Sequence, residues 1–194
     1  MIKDFDLLQR ANNDYTTIDL EHAEELAYRE LIDSIRYIPL GDECGVMGNI
    51  ANIITYKGRF YIQEEQFDRV FIYDDTGRCL KKIDNKGRGP GEYLRIESID
   101  INTEKEELML VDGMSDKLFF YDLDGNFKSI HSIRYFQTEN TLCLRDSVFL
   151  HISAPSQNFG NEGLYGYALV LSKGNENFLK GYRYLPLQVG YKGG

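Results

Sequence analysis

Val70-Phe71-Ile72-Tyr73-Asp74-Asp75-Thr76-Gly77 and Leu118-Phe119-Phe120-Tyr121-Asp122-Leu123-Asp124-Gly125 are one pattern written twice, 48 residues apart. In both, an apolar and aromatic run ends on an aspartate, and a glycine follows three positions later. Upstream, Phe60-Tyr61-Ile62 returns as Leu108-Met109-Leu110 at the same offset of 48. Two separate segments sharing one offset mark a duplication of structure, and a fixed period decides the architecture before any single element is assigned.

Each copy reads as four short strands. In the first they fall at 50–56, 59–63, 69–73 and 78–83. Lys57-Gly58 separates the first two, where a tight hairpin needs residues tolerant of positive φ. Gly77 and Gly125 serve the turn between the third and fourth strands, with Asp side chains placed to accept from the turn amides. β-branched and aromatic enrichment with closely spaced turn signals argues for strands throughout. Four antiparallel strands at a period of about 40 to 50 residues is the pattern of a β-propeller blade. A third, more divergent copy follows, with strands at 147–151, 167–171 and 178–182 and a turn-rich surface loop at 153–163. The expected fold class is therefore all-β, about three propeller blades, divided as 41–86, 87–131 and 132–186 between an N-terminal part at 1–40 and a tail at 187–194.

The N-terminal part is different in kind. Leu20, Ala23, Leu26, Ala27 and Leu31 fall at mostly helical spacing, with Asp19 as a cap and Glu21, Glu24 and Glu25 toward the positive end of the dipole. Ile35-Arg36-Tyr37-Ile38 then reads as a strand, and Pro39 restricts it to an edge because proline cannot donate to a ladder.

Composition narrows the functional classes. Asp plus Glu number 31 against 22 Lys plus Arg, a formal net charge of -9. An acidic body repels phosphate backbones, so nucleic acid and anionic membranes are poor partners. No apolar run is long enough to span a bilayer as a helix. The N-terminus is charged from Lys3 and Asp4 onward, and no export signal is visible in it. Cys44, Cys79 and Cys143 are odd in number, widely spaced and without a CxxC pair. They are expected to be small buried hydrophobes, neither a disulfide framework nor a zinc site.

Between the first two copies stands Gly87-Arg88-Gly89-Pro90-Gly91-Glu92-Tyr93. Three glycines and a proline let the chain leave the outer strand of one blade and turn sharply toward the next. A dinucleotide fingerprint would need glycine where Glu92 stands, and a Walker loop would need a Lys-Ser/Thr pair. The motif resembles the GxGPGEY signature of a six-bladed β-propeller family similar to NHL-repeat propellers, and Ser34-Ile35-Arg36-Tyr37-Ile38-Pro39-Leu40 is similar to that family's N-terminal strand. The resemblance covers residues 17–130 well and the remainder loosely. It implies a six-bladed ring and export, as a periplasmic or lipid-anchored protein. The chain departs from it in lacking a visible signal and in holding about three periods of 48. Three blades do not close, so the expectation is a piece of a longer propeller. Two copies pairing into a ring, or self-association through open edges, is the alternative.

Few residues point to chemistry. Asp122-Leu123-Asp124-Gly125 places its glycine at the fourth position, where an EF-hand loop needs it at the sixth. His22, His131 and His151 lie far apart without metal-type clustering, and no GxSxG sets a serine on a strained elbow. The repeat aligns Asn49 with Glu97 and Asn52 with Asp100 on the opening strands, where channel-lining groups of several blades could gather around a divalent cation. The leading expectation is a non-catalytic binding or scaffold propeller without a cofactor, recognising a protein, peptide or glycan through the loops of one face. The alternative is a lactonase- or lyase-like enzyme with a channel-bound cation.

Overall fold

The computed structural model describes residues 32–133, 140–145, 147–152, 167–174 and 177–183. The expected helix, the loop at 153–163 and the tail lie outside these residues. Among them the chain forms three four-stranded antiparallel sheets and no helix. The first sheet is β1 (Ile50–Tyr56), β2 (Arg59–Glu64), β3 (Arg69–Asp74) and β4 (Cys79–Ile83). The second is β5 (Ser98–Asn102), β6 (Glu107–Asp112), β7 (Lys117–Asp122) and β8 (Phe127–Ser132). The third is β9 (Asn140–Cys143), β10 (Val148–Ile152), β11 (Tyr167–Lys173) and β12 (Asn177–Arg183). Each sheet is a simple meander in sequence order, and the first strands lie side by side, β1 by β5 and β5 by β9. These are propeller-type blades, and the strands expected from sequence agree within one residue in the first blade.

The two faces of each sheet are filled by alternate residues. Tyr61, Val70, Ile72 and Ile83 of blade 1 meet Leu108, Leu110, Phe119 and Tyr121 of blade 2 in one buried cluster. The other face of blade 2, with Met109, Val111, Leu118 and Phe120, meets Phe149 and Val170 of blade 3. Strands β2, β3, β6 and β7 are therefore apolar on successive residues, as strands covered on both faces are.

The repeat is also visible in the turns. Asp74 accepts from the Thr76 and Arg78 amides at 3.0 and 3.1 Å, and Asp122 accepts from Asp124 and Asn126 at 3.0 and 2.8 Å. Glu64 and Asp112, 48 residues apart, are buried and close the β2–β3 and β6–β7 turns. Glu64 accepts from the Gln66 and Phe67 amides, Asp112 from those of Met114 and Ser115.

Two expectations are corrected ahead of β1. Residues 32–49 form no ladder, so Ile35–Ile38 is not an edge strand among the described residues. The segment instead crosses the outward face of blade 1, with one backbone bond from the Gly41 amide to the Gly77 carbonyl at 2.8 Å. Pro39 has no N–H to give a ladder. The second correction concerns the cysteines: Cys44 and Cys79 form a disulfide, with Cα atoms 6.0 Å apart, and only Cys143 is a free thiol. Spacing alone conceals a pair separated by 35 residues, which folding brings together.

Phe119 sits with no exposed surface between blades 1 and 2, so Phe119→Ala is expected to cost about 3 to 5 kcal/mol. Leu80→Ala, on the exposed side of β4, should stay within about 0.5 kcal/mol. Urea denaturation of both variants checks the blade-on-blade core.

Candidate functional site

The sequence motif is built into the junction of blades 1 and 2. The Gly87 amide donates to the Tyr93 carbonyl at 2.9 Å and the Tyr93 amide to the Asn85 carbonyl at 3.2 Å, closing residues 85–93 into a loop. Inside it, Glu92 accepts from the Gly89 amide at 2.7 Å. A Cβ on Gly87 would overlap that carboxylate, and Gly91 has a φ of 81°. Gly89 has no left-handed φ, so its need for glycine is the weaker one. Pro90 is exposed at the tip. Tyr93 is fully buried, edge-on to Phe119, and its hydroxyl donates to the Asp68 carbonyl at 2.8 Å while accepting from the Asn85 amide at 3.1 Å. Burial drives its hydroxyl far above the ordinary tyrosine value. Asp68 meets the same linker with its side chain, accepting from the Ile96 amide at 3.1 Å and pairing with Lys86. Gln63 donates to the Ile96 and Glu97 carbonyls at 3.0 and 3.3 Å. Gly87, Gly89 and Glu92 close the loop, and Tyr93 carries it into the core between the two blades.

Each of the opening-strand candidates has its own neighbours. Asn49 is exposed, and its carbonyl accepts from the Glu65 amide. Asn52 is half-buried opposite Gln63. Glu97 pairs with Arg95 at 3.2 Å. Asp100 accepts from the Cys143 amide at 2.5 Å, tying β5 to β9, and burial raises its carboxyl above the ordinary value. Among the described residues no group of three or more His, Cys, Asp or Glu stands close enough to hold a metal ion.

Two other polar clusters come from chain segments that spacing does not relate. The first is buried. His151 hydrogen-bonds with the Thr141 hydroxyl through Nδ1 at 3.0 Å and the Ser172 hydroxyl through Nε2 at 2.8 Å, and the Thr141 amide donates to Ser98 Oγ at 3.3 Å. This chain sits between blades 2 and 3 beside Leu118, Ile133 and Phe178. It is a satisfied core histidine.

The second cluster is open. On the face carrying the β1–β2, β5–β6 and β7–β8 turns, a cleft of about 450 Å³ runs between blades 1 and 2, lined by Lys57, Arg59, Glu106, Asp122, Leu123 and Asp124. Lys57 pairs with Glu106, and Arg59 with Asp124 at 2.7 Å, each across the blade boundary. Arg59 also donates to the Leu123 carbonyl at 2.8 Å, where the Tyr61 hydroxyl donates at 3.1 Å. These partners are 49 and 65 residues apart, so only the folded arrangement shows them.

The comparisons with known proteins follow this architecture. Residues 15–186 match the family described as a domain of unknown function, DUF4934. No curated protein matches. Among solved structures, a Bacteroides fragilis protein named as a candidate for export is similar at 19% identity and a TM-score of 0.68, covering 81% of this chain and 44% of that one. The structure titled U3-55K is similar at 10% identity and a TM-score of 0.50, covering 71% of this chain and 40% of the other. The chain thus spans less than half the length of these structures, and at such identities the likeness is one of fold.

Gly91→Ala should cost roughly 1 to 2 kcal/mol, because a side chain there is forced into the left-handed region, and Gly89→Ala distinctly less. Thermal melts compare the two. A second expectation concerns pH. Burial lowers His151 from 6.5 to about 4. Between those values the unfolded chain binds more protons, so the stabilisation is complete above pH 6.5 and is lost as pH falls toward 4. The full effect is roughly 3 kcal/mol. Urea titrations at stepped pH should show this slope, and His151→Gln should remove it.

Proposed function

Because the chain belongs to the DUF4934 family, whose description names a domain and no activity, we propose a function from its surface chemistry: a non-catalytic binding module that takes a short polar segment, peptide or oligosaccharide, into the cleft between blades 1 and 2. The observation that carries this reading is the state of the charges there. Lys57 and Glu106 are each 53% exposed and Asp124 is 69% exposed. Exposed pairs of this kind contribute about 0 to 1 kcal/mol, so a ligand can exchange them for its own polar groups at small cost. The cleft's volume lies in the usual range for ligand sites. Its walls carry both signs, which suits a ligand that donates and accepts, and the net charge of -9 works against a polyanion.

An exported location belongs to the same proposal. The Cys44–Cys79 disulfide supports it, since such bonds persist in oxidising compartments. The exported character in the name of the Bacteroides fragilis neighbour points the same way. The enzyme alternative calls for a bound cation, and metal analysis of the purified protein addresses it: stoichiometric calcium or zinc would favour that reading over this one.

Panels of immobilised peptides and oligosaccharides test the binding reading. The expected outcome is a ligand whose affinity falls at least tenfold in the Lys57→Ala, Arg59→Ala double variant while the melting temperature moves by only a few degrees. Ligands that bind the variant as well as the parent chain would overturn the assignment of the cleft.

A further inference from the structure

The outward face of blade 1 is covered by something other than a blade. Ile62, Phe71 and Tyr73 on that face are the repeat counterparts of Leu110, Phe119 and Tyr121, each 48 residues on, and those three bury themselves against blade 1. In blade 1 the same positions are buried beneath Cys44 and Met47 of the segment preceding β1. The turn glycines repeat the relation. A Cβ on Gly125 would meet Ile72 and Lys81 of the preceding sheet at 2.9 Å, whereas one on Gly77 would overlap the carbonyl of Pro39. Residues 36–48 therefore occupy the place that a preceding blade has for blade 2.

Besides the packing of Cys44 and Met47, a few hydrogen bonds and one covalent bond hold this strap. Arg36 donates to the Asp75 carbonyl at 2.5 Å, the Gly41 amide to the Gly77 carbonyl at 2.8 Å, the Tyr73 hydroxyl to the Gly41 carbonyl at 3.3 Å, and the Cys79 amide to Glu43 at 3.3 Å. Tyr37 is 89% exposed and Val46 85%, so these apolar side chains of the strap are not spent on the contact. The covalent tie is the disulfide, which joins Cys44 of the strap to Cys79 on β4. At the equivalent place in blade 2 stands Phe127, which packs edge-on against Tyr121 without a covalent tie.

We propose that Cys44–Cys79 is a redox latch: its reduction by a dithiol frees residues 36–48 from blade 1 and uncovers the Ile62, Phe71 and Tyr73 face. A thiolate of the reductant attacks one sulfur, Cys44 being the more exposed of the two, and forms a mixed disulfide. The second thiol of the reductant then displaces that cysteine. Two protein thiols and one oxidised dithiol result, with two electrons and two protons passed to the protein. The strap is left with its few hydrogen bonds and the packing of Met47 and Cys44, and its release uncovers the face that blade 2 covers with a preceding sheet.

Amide hydrogen exchange on the purified full chain, before and after treatment with dithiothreitol, tests the latch. In the untreated protein one of three cysteines should react with an alkylating reagent; after treatment all three should. Exchange at the hydrogen-bonded amides of the contact, Gly41 and Gly45 in the strap and Cys79 beneath it, should accelerate at least tenfold on reduction while β6 and β7 keep their protection. Binding of a fluorescent apolar dye should rise in parallel. Cys44→Ser should exchange rapidly in the strap without reductant and show no further response to it. If that variant fails to fold, the comparison of reduced with oxidised parent chain decides. Three reactive thiols at the outset, an unchanged strap after reduction, or a uniform acceleration through all blades would each overturn the proposal.

Discussion

A sheet of four short strands in water has two faces to cover, and everything in this protein follows from how each face is covered. Blade 2 solves the problem twice, with Leu110, Phe119 and Tyr121 on one side and Met109, Val111, Leu118 and Phe120 on the other. Fully burying side chains of this size is worth roughly 1.5 to 3 kcal/mol each, more than any ion pair on the surface offers. That difference explains why the apolar runs of β2, β3, β6 and β7 are continuous, and why the repeat is kept in volume and face while individual residues change from Tyr to Met or Ile to Leu.

Packing alone leaves a sheet free to slide on its neighbour, and the polar contacts at the junction remove that freedom. Tyr93, Asp68 and Gln63 each reach from one blade or its linker to the backbone of the other, and all three are buried. A buried donor or acceptor without its partner costs about 1 to 3 kcal/mol, so these groups penalise every alternative alignment. The glycines of the motif serve the same end by letting the chain close tightly enough for Tyr93 to enter the core. In a stretch that resembles a phosphate loop on paper, the Gly87 and Gly89 amides are thus taken by the Tyr93 carbonyl and the Glu92 carboxylate.

The offset of 48 made the strands, their turns and the caps at Asp74 and Asp122 legible, because local periodicity and turn chemistry are written in adjacent residues. Contacts between blades are not written that way. Lys57 with Glu106, Arg59 with Asp124, and Cys44 with Cys79 join residues whose spacings follow no motif, so the cleft and the disulfide appear only after folding. Alignment by repeat set Asn52 against Asp100, but the turn after β5 is two residues longer than Lys57-Gly58, so Asp100 stands opposite Met109 while Ile54, not Asn52, stands opposite the counterpart Tyr61. Asp100 turns to the Cys143 amide, where it joins the next blade. Ile35–Ile38 illustrates the opposite error, since alternation and a flanking proline describe an extended chain equally well whether it lies on an edge or across a face.

The same reasoning separates the parts of the molecule that can serve a partner from those that cannot. His151, Ser172 and Thr141 have the residue types of a nucleophilic site, but all three are buried and bonded to one another between blades 2 and 3. Groups that must stay where they are to keep two sheets aligned are poorly placed to exchange partners. The paired charges at the turn ends differ in that all but the half-buried Arg59 are exposed, and they lie at the rim of a cleft, where such pairs contribute little to stability. Binding chemistry can be carried there without loosening the core, because the aligning contacts of Tyr93, Asp68 and Gln63 come from the linker and the β2–β3 turn, which a meandering sheet places at the other end of its strands.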